Sequence, residues 1–284
     1  MKSYDPPRGN GDQELVYKAV GDRKIELSFR APLNRKYDRA PLYLIISGGG
    51  WHGESRQSML DMSARSVELL RRDGWAVASI DYRVTGEATM RQLISDCMDA
   101  GRYLAHFSQE LSINPRRVVT SGHSAGGHLA LLLANAPHAA FTEDSPFDLT
   151  ADDFLVVACA PMSPPTLLYD ATGGNGWPFG DAYERVFPRE SAAEAHRHFL
   201  SPYDYITPAS VPTLLFCGTH DDLVWPENST RYAERCRAVG APCRIVCSYY
   251  GGHCFEPKVE GKTADPDLGG VQELLTDFVR PFAE

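Results

Sequence analysis

Six short runs along the chain are apolar at nearly every position: "LYLIIS" (42–47), "AVASI" (76–80), "RVVTS" (117–121), "FLVVACA" (154–160), "TLLFC" (213–217) and "RIVCS" (244–248). A strand with one wet face alternates. A run without alternation is the pattern of a parallel strand covered on both faces. Between these runs lie segments with apolar residues at helical spacing: 56–72, 90–111, 126–135, 229–239 and 268–282. Strands alternating with helices predict right-handed βαβ crossovers and a doubly wound, mostly parallel sheet of the α/β class. Residues 13–30 alternate weakly and predict an N-terminal hairpin. The connection after the fourth apolar run differs from the others. It is rich in Pro, Gly and aromatics, and its length predicts a lid or pocket insert over 161–200.

The chain has 284 residues, which suits one α/β domain spanning 1–284 with a core that needs no staples. Its formal net charge of −9 is spread without runs of like charge. That argues against nucleic acid or an anionic membrane surface as partner. The first residues, "MKSYDPPRGNGDQE", read as neither a signal peptide nor a membrane anchor. Seven cysteines form no C-x-x-C, and several fall in apolar runs. Free thiols in a reducing cytoplasm are the expectation, with homo-oligomerisation left open.

The segment "VVTSGHSAGGHLALLLA" (118–134) passes from strand to helix around one serine. Ser124 sits in G-x-S-x-G, where flanking glycines permit a strained turn that lifts the hydroxyl out of the sheet. The helix that starts there directs free N–H groups and its dipole towards negative charge. A serine needs a base, and the base needs an orienting acid. Asp221 and Asp222 follow "TLLFC", and His253 follows "RIVCS" among glycines. Serine, acid and histidine thus fall at carboxyl ends of three separate strands, where sites form in such sheets. His123 and His128 flank the nucleophile on its own segment, so packing or rim roles suit them better. Gly49 and Gly50 of "SGGGW", with the Ala125 N–H, are candidate oxyanion donors. Trp51 of that loop and Trp177, Phe179 and Tyr183 of the insert are candidate substrate-binding residues. Groups of this kind suit acyl transfer to water on a small-molecule substrate, which calls for no metal and no organic cofactor.

These motifs resemble the α/β-hydrolase family, and within it the esterase/lipase group with an HGGGW-type loop and a GxSAGG elbow. The resemblance runs over about 40–282 and includes "SIDYRV" (79–84), "DCMDAGRYL" (96–104) and "VPTLLFCGTHDDLVWPENS" (211–229). It implies a carboxylesterase acting on short-to-medium acyl esters. It places the acid three residues after Gly218, at Asp221, and the base at His253. It also implies a buried Asp81–Arg83 pair near the site. The chain departs from the hormone-sensitive-lipase branch in carrying Ser47 where that branch has His, and in its short N-terminal cap. Both departures lean towards carbohydrate or hydroxycinnamate esters. Aryl formamidase and a non-catalytic ligand-binding fold are the alternatives.

Overall fold

The computed structural model describes residues 4–53, 55–147, 154–169, 187, 189 and 194–284. Eight strands form one sheet: β1 (Gln13–Val20), β2 (Arg23–Arg30), β3 (Ala40–Ile46), β4 (Ala76–Ile80), β5 (Ile113–His123), β6 (Val156–Met162), β7 (Thr213–Gly218) and β8 (Cys243–Ser248). Their order across the sheet is β1-β2-β4-β3-β5-β6-β7-β8. The hairpin β1–β2 and its junction with β4 are antiparallel, and every other pairing is parallel.

The absence of alternation in the sequence has its cause here. Leu42, Leu44 and Ile46 of β3 face one core, while Tyr43 and Ile45 face the other. Both faces are covered, so both sets must be apolar. One core is closed by α3 (Met90–His106), α4 (Ala125–Asn135) and α6 (Glu227–Val239). The other is closed by α1 (Arg56–Met62), α2 (Ala64–Arg72) and α7 (Leu268–Val279). A short helix, α5 (Glu194–Phe199), precedes β7.

Two predicted helices differ from those observed. The segment 56–72 is broken at Ser63, because Gln272 of α7 reaches into the gap. It accepts from the Ser66 N–H at 3.0 Å and donates to the Met62 carbonyl at 2.8 Å. A side chain that satisfies both broken ends stabilises the break. The segment 90–111 ends as helix at His106 and continues in turns. Its start is set by a capping box, Thr89 with Gln92.

The Asp81–Arg83 pair implied by the resemblance is not formed. Asp81 instead takes the backbone N–H and guanidinium of Arg56. Arg83 grips Asp96 with two bonds of 2.8 Å and Asp144 at 2.8 Å. Asp96 belongs to a buried network in which Lys18 of β1 meets Asp96 at 2.8 Å and Asp99 at 2.7 Å, all three fully buried. Arg102 closes on Asp99 at 2.6 Å. This network ties α3 to the hairpin. The carboxylates have partners on every side, as buried charges require.

Candidate active site

The turn from β5 to α4 holds Ser124 at φ 55° and ψ −122°, the first step outside the helix. A non-glycine residue in that region is strained by about 1–3 kcal/mol, and the surrounding structure must hold it there. The hold is visible. The Ser124 N–H donates to the Met162 carbonyl of β6 at 2.8 Å, and its carbonyl accepts from His128 at 3.1 Å. The glycine at 126 is dictated by space, since a Cβ there would lie 2.1 Å from the Ile46 carbonyl oxygen. The elbow can therefore lie directly on the end of β3. Ser124 is 8% exposed.

The candidate acid and the candidate base meet across the last two strands. His253 Nδ1 lies 2.7 Å from Asp221 Oδ2. The other carboxylate oxygen accepts from the backbone N–H groups of Leu223 at 3.0 Å and Val224 at 2.8 Å. The Asp221 carboxylate is fully buried, and both of its oxygens have hydrogen-bond partners. Asp222 points elsewhere, with a side chain 76% exposed and Lys258 at 3.4 Å. The geometry thus separates two aspartates that the sequence alone leaves open. The loops carrying acid and base are joined through main chain. Thr219 N–H donates to Ser248 and His220 N–H to Gly251, both at 2.9 Å. A Cβ on Gly218 would come within 2.3 Å of the Gly252 carbonyl, so this approach requires glycine.

Gly49 and Gly50 follow β3 with φ of 78° and 59°. Among the described residues, neither their N–H groups nor that of Ala125 donates a hydrogen bond. The loop is braced by a residue that the motifs do not single out. The Tyr82 hydroxyl reaches the carbonyls of Ser47 at 2.9 Å and Gly48 at 3.0 Å. Its only trace in the sequence is its position in "DYR". Trp51 is 1% exposed. Its ring lies 4.9 Å from that of Phe187, and its Nε1 donates to His128 Nδ1 at 3.3 Å. In this conformation it packs the loop onto α4. Trp177, Phe179 and Tyr183 lie outside the described residues.

The remaining histidines divide by burial. His52 and His220 are exposed. His128 is fully buried, with Nε2 on the Leu200 carbonyl at 2.8 Å. His123 Nε2 meets the backbone carbonyl of His253 at 2.8 Å, and the two rings stand 4.6 Å apart. Burial pushes the imidazoles of both His123 and His128 down to about 4, with the neighbouring His253 adding to the effect at His123. Among the described residues, no group of three or more His, Cys, Asp or Glu is placed to hold a metal ion. No described helix is long and apolar enough to cross a membrane.

A mostly parallel eight-stranded sheet with a serine elbow after its central strand, and acid and histidine loops after the last two, defines an α/β-hydrolase. Within that class the chain belongs to the BD-FAE family, whose model matches residues 27–235. It is similar over 96% of its length to the butyrate-bound thermophilic esterase 2 of the Planctomycetes species Thermogutta terrifontis. That likeness has 26% identity and a TM-score of 0.76, and covers 95% of the esterase chain. It is 26% identical over 264 residues to the esterase LipC of Mycobacterium tuberculosis, covering 86% of this chain and 60% of that protein. A shorter likeness, 49% over 61 residues, is to Lipase 2 of Moraxella sp. strain TA144, covering 22% of this chain and 14% of the lipase. The chain therefore spans less than two thirds of these two curated relatives.

Proposed function

We propose that the protein is a serine carboxylic-ester hydrolase working through Ser124, His253 and Asp221. The observation that carries the reading is the 2.7 Å bond from His253 to a buried Asp221, at the same edge of the sheet as the strained Ser124 turn. Ser124 Oγ attacks the ester carbonyl while His253 Nε2 takes its proton. Asp221 fixes the ring with Nδ1 protonated and stabilises the imidazolium that forms. The N–H groups of Gly49, Gly50 and Ala125 receive the oxyanion, one such donor contributing about 2.7–4 kcal/mol. His253 then protonates the leaving alcohol, and water repeats the cycle on the acyl-enzyme.

The substrates are short-to-medium acyl esters of carbohydrate or hydroxycinnamate type, the direction in which Ser47 leans. Trp177, Phe179 and Tyr183 are assigned to the acyl or aryl wall, as ligand pockets are mostly apolar. The whole chain is taken as one domain with 161–200 as its pocket insert, working in the cytoplasm.

Ser124→Ala tests the chemistry. It removes the only group that can form the acyl-enzyme, so kcat on p-nitrophenyl butyrate falls by at least about 10³-fold with an unchanged melting temperature. A variant that keeps more than about a tenth of the wild-type kcat overturns the reading. A panel of p-nitrophenyl esters, acetylated xylan, methyl ferulate and N-formylkynurenine then ranks kcat/KM by substrate. Highest turnover on N-formylkynurenine would replace the ester by a formamide.

A further inference from the structure

The backbone carbonyl of His253 accepts two side-chain hydrogen bonds. One comes from His123 Nε2 at 2.8 Å and the other from Ser163 Oγ at 3.0 Å. A carbonyl oxygen can only accept, so His123 must carry its proton on Nε2. The donors come from different strands. His123 ends β5, and Ser163 directly follows β6. Ser163 is itself pinned. It sits at φ 45° with its N–H on the Phe216 carbonyl of β7 at 2.8 Å. A serine kept in the left-handed region is held there by its surroundings. Both donors are buried, His123 at 3% and Ser163 at 1% exposed.

Resting on the triad reading above, we propose that His123 and Ser163 are a positioning pair that sets the distance from base to nucleophile by holding the main chain of His253. The base is carried on a loop after β8, the edge strand, which has sheet support on one side only. Asp221 fixes the ring's rotation, but its bond lies on Nδ1, the side away from the nucleophile. The main-chain bonds to His123 and Ser163 fix where the ring starts. Because His123 directly precedes Ser124, one peptide unit links the nucleophile to the group that holds the base. A displacement of the order of 1 Å in such a constellation costs about 10²-fold in rate.

The choice of donor is also explained. The base must become cationic during each turnover, and a neighbouring cation would oppose it. Burial keeps the His123 ring neutral through the working range, so it donates without adding charge. A lysine in its place would donate while repelling the imidazolium.

The test uses the full chain and p-nitrophenyl butyrate. His123→Phe keeps a ring and removes the donor. His123→Gln keeps a neutral donor of similar reach. Ser163→Ala removes the second donor. The expected result is a kcat about 10²-fold below wild type for the double variant H123F/S163A with KM within threefold, an intermediate loss for each single variant, and kcat within about fivefold of wild type for H123Q. A residue that only filled space would give no such split between kcat and KM and no rescue by glutamine. A double variant within threefold of wild type in kcat overturns the proposal, as does an H123Q enzyme no better than H123F. If the double variant does not fold, the contrast between H123F and H123Q decides in the same way. Ser124→Ala is run beside them. If it retains activity, the triad reading fails. If it is inactive while the double variant matches wild type, only the positioning pair fails.

Discussion

At the scale of the residue, the two neighbouring aspartates give the sharpest contrast. Asp221 is buried, accepts from two backbone N–H groups and meets His253. Asp222 stands in solvent beside Lys258. Asp221→Asn preserves shape and the acceptor facing Leu223 and Val224, but offers His253 an N–H₂ donor. Nδ1 must then accept, Nε2 carries the proton, and the ring cannot take one from Ser124. The expected loss in kcat is about 10⁴-fold, with little change in KM. Asp222→Asn should leave kcat within about twofold, since an exposed pair is screened. Steady-state kinetics on one p-nitrophenyl ester compares them, and the reverse ranking would move the acid to Asp222. What is legible at this scale is what a local motif announces: a serine between glycines, an acid in a turn, a histidine among glycines, each after an apolar run. Tyr82 and Ser163 are not legible. Each acts on a main-chain carbonyl brought near by a strand distant in sequence, and a lone Tyr or Ser next to a strand carries no periodicity that marks it.

The element that does most to place the site is the junction of β3, β5 and α4. A Cβ at Gly126 would meet the carbonyl oxygens of Ile46 at 2.1 Å and Ser47 at 2.6 Å. These are main-chain atoms of a central strand and of the loop that carries the candidate oxyanion donors, so they cannot swing aside as a side chain could. Gly126→Ala should therefore push α4 off the sheet. The expected cost is about 1–3 kcal/mol, the usual range for overpacking, with activity falling more than stability because Ser124 and the Gly49–Gly50 loop move apart. Thermal melts together with kcat/KM check this; an unchanged melting temperature and full activity would show that the junction has slack. Strands are the elements the sequence states best here, because burial on both faces leaves an unbroken apolar run. Helix limits are stated less well. The break at Ser63 depends on Gln272, more than 200 residues away along the chain. The Lys18–Asp96–Asp99 network reverses the ordinary expectation that such residues face water. The misassigned Asp81–Arg83 pair has the same origin, since each member is taken by a partner on another segment, Asp81 by Arg56 and Arg83 by Asp96 and Asp144.

Across the whole molecule, buried histidines act as neutral cross-links between distant segments, and acid should undo them. His128 joins α4 to the Trp51 loop through Nδ1 and to the Leu200 carbonyl through Nε2. Nε2 must carry the proton there, and Nδ1 must stay bare to accept from the indole. A second proton would set one donor against another. His123 similarly joins β5 to the His253 loop. Burial lowers both from an ordinary value of 6.5 to about 4. Between those values the unfolded chain binds protons that the folded chain refuses. Stability is therefore whole above about pH 6.5 and is lost as pH falls towards 4, at up to about 1.4 kcal/mol per pH unit for each histidine. Carboxylates enter only at the foot of that window, with Glu14, whose partial burial is outweighed by its bonds to Ser28, Arg30 and Arg56 and which is lowered from 4.5. Asp144, held down by its bond to Arg83 and lowered from 3.8, contributes its own loss only below that value. The measurement is the urea midpoint at pH 7, 6, 5 and 4.5 for the wild type and for His128→Gln. The wild type should weaken steadily below pH 6.5. The variant should start less stable at pH 7, because it loses part of the bridge from Trp51 to Leu200, yet show a shallower slope. Equal slopes in the two proteins would remove His128 from the account, and a flat wild-type profile between pH 6.5 and 4.5 would remove both histidines.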